Sequence, residues 1–302
     1  MDNNGYALAG STTSSSSGML SFWLVKVDAM GEQQWTQTYE YSDLDTAANS
    51  VIVTKDGSYL LAGYVTLFNG REDFRLVKTD SAGKMQWSQT YGTSDKDIAY
   101  SVVQTNEGGY AIAGYTGIDK ARGDFWLIKI DSAGKLLWNN QYGGSYEEFG
   151  AYSIVQLNDG GYALAGGLGL AEPMNAVRDF LLVRTDSSGV QLWNRTYGGN
   201  SDDYATSMVK TTDGSYVLLG PSNVDGVSKL LLVKTEILES NLTPIATASG
   251  LTPSLTSNPS SSMQPSNSPD TSTNPSTTVP EFSVVNSIYL WTFRNYCVNS
   301  KM

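Results

Sequence analysis

The sequence predicts an all-β fold, a β-propeller of about five four-stranded blades, because two independent signatures repeat along it. The first is a turn that leads into a Trp, D-S-A-G-K-M-Q-W at Asp80–Trp87, and it recurs in four copies. The second is a Gly-Gly/Ser-Tyr or Asn-Gly-Tyr triplet, which ends at Tyr6, Tyr59, Tyr110, Tyr162 and Tyr216. Both signatures repeat about every 52 residues, which is longer than a solenoid repeat and close to the size of a propeller blade.

Each period contains four short runs of strand-like composition, here called strands a, b, c and d. In one well-preserved copy they are AYSVVQT (99–105), YAIAGY (110–115), FWLIKI (125–130) and LLWNNQY (136–142). The a–b link, Asn106–Gly109, and the c–d link, Asp131–Gly134, have the Asp and Gly that tight hairpin turns prefer. The four strands should therefore form one antiparallel meander. Small residues place strand a at the axis, and Trp and Tyr place strand d at the rim.

The first and last blades are expected to be incomplete, since the first copy lacks strand a and the fifth lacks strand d. The predicted propeller covers residues 1–236, with blades at 1–42, 43–94, 95–146, 147–201 and 202–236. A missing axial strand leaves an open edge. One interpretation is a truncated gene product without its own function.

The composition changes sharply after the repeats. Residues 237–280 are rich in Ser, Thr, Pro and Asn and should form a disordered stalk, and residues 281–302 form a degenerate C-terminal segment. The apolar run Val284–Phe293 is too short to span a membrane. The start of the chain shows neither the basic nor the apolar region of a signal peptide.

The charge and residue usage exclude several classes of function. A net charge of −11 argues against a nucleic-acid partner, because no basic stripe could neutralise phosphates. The chain has no His and a single Cys, Cys297, so a disulfide framework and a thiolate metal site are not expected. No catalytic triad or dinucleotide motif is present, and we expect a monomer.

The repeated period D-F-W-L-[VI]-K-[TI]-D-S-x-G-x-x-x-W resembles the β-propeller repeats of archaeal and bacterial surface proteins, which are similar to seven-bladed β-propeller repeats. The spacer that ends in Val279-Pro280-Glu281-Phe282 resembles a degenerate form of the Pro-Glu-Phe surface-anchor element of such proteins. The resemblance implies an extracellular or cell-surface location. It also implies a non-enzymatic scaffold, and it supplies no catalytic residues.

Acidic residues precede each strand a and form the candidate site. They are Asp43 and Asp45, Asp95 and Asp97, Glu147 and Glu148, and Asp202 and Asp203. In a meander, the d–a connections that carry these acids emerge on the same face as the variable b–c loops, where binding residues usually lie. A partial ring of carboxylates could bind Ca²⁺. The alternative is that the acids fix the local backbone and pair with nearby basic groups.

Three further repeated positions are expected to be structural. Trp35, Trp87, Trp138 and Trp193 should pack between blades. The basic residues before each c–d turn (Lys26, Lys78, Lys129, Arg184 and Lys234) should be solvated or salt-bridged. Asp73, Asp124 and Asp179 precede strand c and should fix its turn.

The functional expectation is a non-enzymatic scaffold that binds a protein or glycan through the loop-bearing face and needs no cofactor. The alternative, from a different class, is a carbohydrate-active enzyme that uses carboxylates near the propeller axis.

Overall fold

The computed structural model describes residues 5–119, 122–143, 147–169, 178–199, 202–224 and 227–235, all within the unit Met1–Pro244. These residues form strands and the turns between them, and no helix is found among them, so the predicted all-β class is confirmed. The described part of the chain accordingly offers no helix suited to crossing a membrane. The predicted stalk and C-terminal segment lie outside the described residues.

The strands group into five blades, as predicted. Blade 1 consists of β1 (Gly5–Thr13), β2 (Leu20–Asp28) and β3 (Gln33–Tyr39). Blade 2 consists of β4 (Thr46–Val53), β5 (Tyr59–Thr66), β6 (Glu72–Thr79) and β7 (Met85–Tyr91), and blade 3 of β8 (Lys96–Gln104), β9 (Tyr110–Asp119), β10 (Arg122–Ile130) and β11 (Leu136–Tyr142). Blade 4 consists of β12 (Glu147–Gln156), β13 (Tyr162–Gly169), β14 (Arg178–Thr185) and β15 (Gln191–Tyr197), and blade 5 of β16 (Asp202–Asp203), β17 (Ser207–Lys210), β18 (Tyr216–Val224) and β19 (Val227–Thr235).

Every blade is an antiparallel sheet whose strands pair in chain order. Blade 1 lacks strand a among the described residues and blade 5 lacks strand d, while β16 and β17 are two pieces of the fifth strand a. Blades 3 and 4 are joined into one larger sheet by a single bridge between Gly123 and Glu148. The predicted propeller with incomplete first and last blades is confirmed.

The c–d turns owe their shape to the Asp and Gly of the repeat. The side chain of Asp80 accepts hydrogen bonds from the backbone N–H groups of Ala82 (2.9 Å) and Lys84 (2.8 Å). Gly83 has φ +81°, a left-handed conformation that glycine adopts without steric cost. Asp28, Asp131 and Asp186 make the same pair of bonds in their blades.

The hydrophobic core lies between the blades. In the contact of blade 2 with blade 3, one face contributes Leu60, Phe74 and Leu76, and the other contributes Ile112, Trp126 and Ile128. Equivalent clusters join the other neighbouring blades. The a strands of neighbouring blades contact one another, β4 with β8 and β8 with β12, as expected for the strands nearest the axis.

Hydrogen bonds at the rim also join neighbouring blades. In three of the four strands d, the Tyr that ends the strand donates its hydroxyl to the glycine carbonyl in the next blade's c–d turn, whereas Tyr197 pairs with the Thr235 hydroxyl. These bonds run from Tyr39 to Gly83 (2.7 Å), from Tyr91 to Gly134 (2.5 Å) and from Tyr142 to Gly189 (2.6 Å). Burial raises the pKa of all three hydroxyls, so they stay protonated as donors.

Candidate functional site

The structure places the predicted acidic residues in different surroundings. Asp45 accepts a hydrogen bond from the backbone N–H of Leu20 (2.7 Å) in the preceding blade, and Asp202 forms a two-pronged ion pair with Arg178. Asp43 lies in an isolated bridge with Tyr41, and Asp95 is partly exposed. Glu147 and Glu148 lie in β12, but their side chains are outside the described residues.

Asp97 is the most buried of these carboxylates, with 0% of its surface exposed. It accepts hydrogen bonds from the backbone N–H of Thr93 (2.6 Å) and from the Thr93 hydroxyl (3.1 Å). Burial raises the pKa of Asp97, the nearby charge of Asp73 raises it further, and the hydrogen bonds from Thr116 and Thr93 oppose that rise. Asp97 is thus a carboxyl group that gains a proton more readily than an exposed Asp.

Asp73 lies beside Asp97 but belongs to the preceding blade. It is the second residue of β6, and its carboxyl group packs against Gly92, where a Cβ would lie only 2.3 Å from Cγ of Asp73. Its buried Oδ1 has no hydrogen-bond partner among the described residues. Burial raises the pKa of Asp73, and the charge of Arg71 partly offsets this effect. Two desolvated carboxyl groups from blades 2 and 3 are therefore close enough for the charge of Asp73 to raise the pKa of Asp97.

A similar pair lies between blades 4 and 5. Asp179 packs against Gly198, and burial and the charge of Asp203 both raise the pKa of Asp179. Asp203 is 3% exposed, and its Oδ1 also lacks a partner within the described part of the chain. The contact of blades 1 and 2 differs, because Thr46 stands at the position of Asp97, and its Oγ1 accepts a hydrogen bond from the backbone N–H of Phe22 (3.0 Å).

Sequence reasoning missed these carboxyl pairs because it assigned the two members to separate roles. Asp73, Asp124 and Asp179 were expected to fix a turn, but each lies inside strand c, with its carboxyl group over the glycine that follows strand d: Gly92, Gly143 and Gly198. The sequence does carry a signal for this packing. Each repeat that has an Asp directly before the Phe of strand c also has a Gly directly after the Tyr of strand d.

Four of the five basic residues before the c–d turns are buried and Lys234 is exposed, and the four from Lys78 to Lys234 pair with acids of the a–b turns, in agreement with the predicted salt bridges. Nζ of Lys78 lies 3.8 Å from Oδ2 of Asp56, and Nζ of Lys129 lies 3.4 Å from Oε2 of Glu107. The Arg184 guanidinium forms an ion pair with Asp159. Lys78, Lys129 and Arg184 are less than 8% exposed, so they join the two turns of one blade face rather than form a solvent-facing cationic ring.

The four repeated Trp residues lie at the contacts between blades. Trp35 meets Tyr59 edge-on at 5.6 Å between ring centroids, and Trp138 meets Tyr162 in the same way at 6.0 Å. Trp87 packs against the cluster between blades 2 and 3, and Trp193 packs against the cluster between blades 4 and 5. Among the described residues, no group of three or more acidic, His or Cys side chains could hold a metal ion, and Ca²⁺ binding stays a prediction.

Comparison with known proteins finds similar solved structures but no match by sequence. No protein-family model matches the sequence, and no curated protein matches it. Among solved structures, the chain is similar to an endo-arabinase from Bacteroides thetaiotaomicron (12% identity, TM-score 0.45, 77% of this chain and 94% of that one). It is also similar to an endo-1,4-β-xylanase from the same organism (12% identity, TM-score 0.42, 78% and 92%). A β-fructofuranosidase from Bombyx mori matches at 12% identity and TM-score 0.42, over 78% of this chain and 58% of that one.

These comparisons contradict the expectation of a non-enzymatic scaffold. That expectation came from the resemblance to surface-protein repeats, whereas the similar solved structures are named as enzymes that act on carbohydrates, the class that was the alternative. The resemblance to surface-protein repeats holds only for the repeated antiparallel sheets, since no family or anchor match supports the rest. With identities of 12% and TM-scores of 0.42–0.45, the chemistry of this chain must be argued from its own residues.

Proposed function

We propose that the chain is a carbohydrate-active enzyme that hydrolyses glycosidic bonds with carboxyl groups on the loop-bearing face of its propeller. The observation that carries the proposal is the pair Asp73 and Asp97, two desolvated carboxyl groups with raised pKa values on neighbouring blades. Asp73 is near the start of strand c and Asp97 near the start of strand a, the ends from which the b–c and d–a connections emerge.

Glycoside hydrolysis needs one carboxyl group that keeps a proton at working pH and a second that is ionised. Burial raises the pKa of both Asp73 and Asp97, and the charge of Asp73 raises that of Asp97 further, so both keep a proton to a higher pH than an exposed Asp would. Asp97 is fully buried, so it is a positioning residue that acts through Asp73. Asp73, which is partly exposed, is the proton donor.

Asp95 supplies the second catalytic carboxylate in this proposal. It is partly exposed, it lies three residues after the Gly92 that packs against Asp73, and its backbone N–H donates to the Thr93 hydroxyl (3.1 Å). The same hydroxyl bonds to Asp97, so one short loop connects all three carboxyl groups. The substrate is a polysaccharide, and we propose an extracellular location in keeping with the Ser/Thr/Pro-rich stalk.

The test is release of reducing sugar by the full chain from arabinan, xylan, fructan, galactan and mannan, which together cover furanose and pyranose rings. On any substrate that is cleaved, Asp73→Asn should lower kcat by roughly 100- to 10,000-fold, as expected for loss of a general acid. Asp97→Asn should lower kcat less and shift the pH profile of kcat, because Asp97 acts only through the protonation of Asp73.

The matched control is Asp179→Asn, which changes the equivalent Asp in blade 4, also packed over a glycine. It should keep wild-type turnover, because Ser201 stands before Asp203 in the sequence where Asp95 stands before Asp97, so this pair lacks the equivalent of the second carboxylate. The proposal is wrong if none of the polysaccharides is cleaved, or if Asp73→Asn retains full activity on one that is.

A further inference from the structure

The two end blades expose apolar side chains that every internal blade buries. Blade 1 exposes Tyr6 (62%), Leu8 (54%) and Trp23 (37%), which we call the leading face. Blade 5 exposes Val209 (50%), Leu230 (75%) and Leu232 (54%), which we call the trailing face. A monomeric protein rarely leaves large contiguous apolar patches on its surface, so two such faces call for an explanation.

The residues equivalent to the leading face show what it fits. In blade 3 the same repeat positions are Tyr110, Ile112 and Trp126, and all three are at most 3% exposed because they pack against blade 2. The leading face thus has the side chains with which a blade receives the blade before it.

The residues equivalent to the trailing face show the complementary half of the same contact. In blade 2 the positions of Val209, Leu230 and Leu232 are occupied by Ile52, Phe74 and Leu76. Phe74 and Leu76 are fully buried against blade 3, and the Phe74 ring lies 4.5 Å from the Trp126 ring, measured between centroids. Leu230 against Trp23 would reproduce this contact with a smaller side chain.

Within one chain these two faces do not cover each other, since both are exposed in the same structure. From this continuity with the four internal contacts, we propose that the leading face of one copy docks on the trailing face of a second copy, so that the chain associates head to tail. Such an interface joins two different patches of the same protein, and it produces either a closed ring or an extending array. The proposal is independent of the catalytic one, and it departs from the monomer expected from the sequence.

Sedimentation velocity of the full chain over a wide concentration range tests this proposal. Wild type should form dimers or larger species as concentration rises. Leu8→Asp on the leading face and Leu232→Asp on the trailing face should each weaken association by ~100-fold or more, because a carboxylate would be buried without a partner. Leu137→Asp is the matched control: Leu137 is equally exposed (54%) but lies on β11, in a rim strand. It should associate like wild type.

Mixing the two interface variants distinguishes head-to-tail docking from other modes. Leu8→Asp keeps its trailing face and Leu232→Asp keeps its leading face, so their mixture should form a dimer and nothing larger. Circular dichroism of dilute samples checks that each variant folds. A wild type that is monomeric at every concentration overturns the proposal, as does a mixture that fails to dimerise. In the monomer case, cross-links between blade 1 and residues 281–302 would identify the chain's own C-terminal segment as the occupant.

Discussion

At the scale of single residues, burial decides what each charged side chain does. Arg75 is fully buried, and it donates to the carbonyl oxygens of Tyr39 (3.0 Å) and Glu40 (2.9 Å) in the preceding blade. Its guanidinium also lies over the ring of Phe22, 4.7 Å from the centroid. Burial lowers the pKa of Arg75 to about 10, so the group remains charged at neutral pH. The Arg75 guanidinium thus provides hydrogen-bond donors for the carbonyl groups at the end of β3 and links blade 2 to blade 1.

The pKa of Asp73 is raised and that of Asp202 is lowered, so substitutions at these two sites should change stability with opposite pH dependence. The folded-state pKa of Asp73 is raised, so its ionised form opposes folding; this penalty is absent below the unfolded pKa of about 3.9 and is complete above the folded pKa. Asp73→Asn should therefore gain stability relative to wild type as pH rises from acidic to neutral. Urea unfolding at several pH values measures this difference.

Asp202→Asn is the matched variant, with the reverse expectation. The hydrogen bonds and charge of Arg178 lower the pKa of Asp202, so its stabilising effect is present above the unfolded pKa and is lost as pH falls through the folded pKa. The variant should lose stability relative to wild type at neutral pH and approach it in acid. Parallel pH profiles for the two variants would contradict both assignments.

At the scale of the structural element, the two turn types share a backbone conformation but differ in their neighbours. Gly57 in an a–b turn has φ +78°, and Gly83 in a c–d turn has φ +81°. No atom lies within 4 Å of the position of a Cβ on Gly57, whereas a Cβ on Gly83 would lie 2.9 Å from the ring of Trp35. The c–d turn is therefore part of the contact between blades, and the a–b turn at Gly57 is not.

This difference predicts unequal costs for the same substitution. Gly57→Ala should lower the free energy of unfolding by about 1–2 kcal/mol, the cost of a left-handed conformation for a residue with a Cβ. Gly83→Ala should lower the free energy of unfolding by the same amount and should also displace Trp35, for a total loss of about 3 kcal/mol or more. Chemical denaturation of both variants gives the comparison. Equal losses would mean that Trp35 adjusts without cost.

At the scale of the whole molecule, stability is expected to follow the number of neighbouring blades. β9 in blade 3 has a neighbour on each side, whereas β1 in blade 1 packs against blade 2 on one face and exposes Tyr6 and Leu8 on the other. In such an array, each blade contributes its own stability and that of its contacts. The end blades should therefore open more easily than the central ones.

Native-state hydrogen exchange tests this gradient. In dilute Leu232→Asp protein, where head-to-tail association is suppressed, the amides of β1 should exchange ~10-fold or more faster than those of β9, because the loss of ~1.4 kcal/mol of packing is enough for that ratio. The ratio should fall in concentrated wild type, where a second copy would cover blade 1. Uniform protection from β1 to β18 in the dilute variant would show that the blades open as one unit.

The sequence by itself determined the repeat and therefore the blades. Period-two strands, the Asp and Gly of each turn and the recurring Trp and Tyr are local signals, and they were enough to predict the meander and the incomplete end blades. The Tyr that ends strand d lies four residues after its Trp, so the period of two within one strand puts both side chains on the same face.

The residues that meet across the contacts between blades could not be predicted from the repeat. Asp73 and Asp97 belong to different blades, so their approach depends on how blade 2 packs against blade 3. The basic residues of strand c were expected to be solvated or salt-bridged, and the structure shows that Lys78, Lys129 and Arg184 form their ion pairs while buried. One repeat of the sequence specifies the strands and turns of one blade. The charged groups that meet between two blades depend on how those blades pack, and the pattern of a single repeat does not predict that packing.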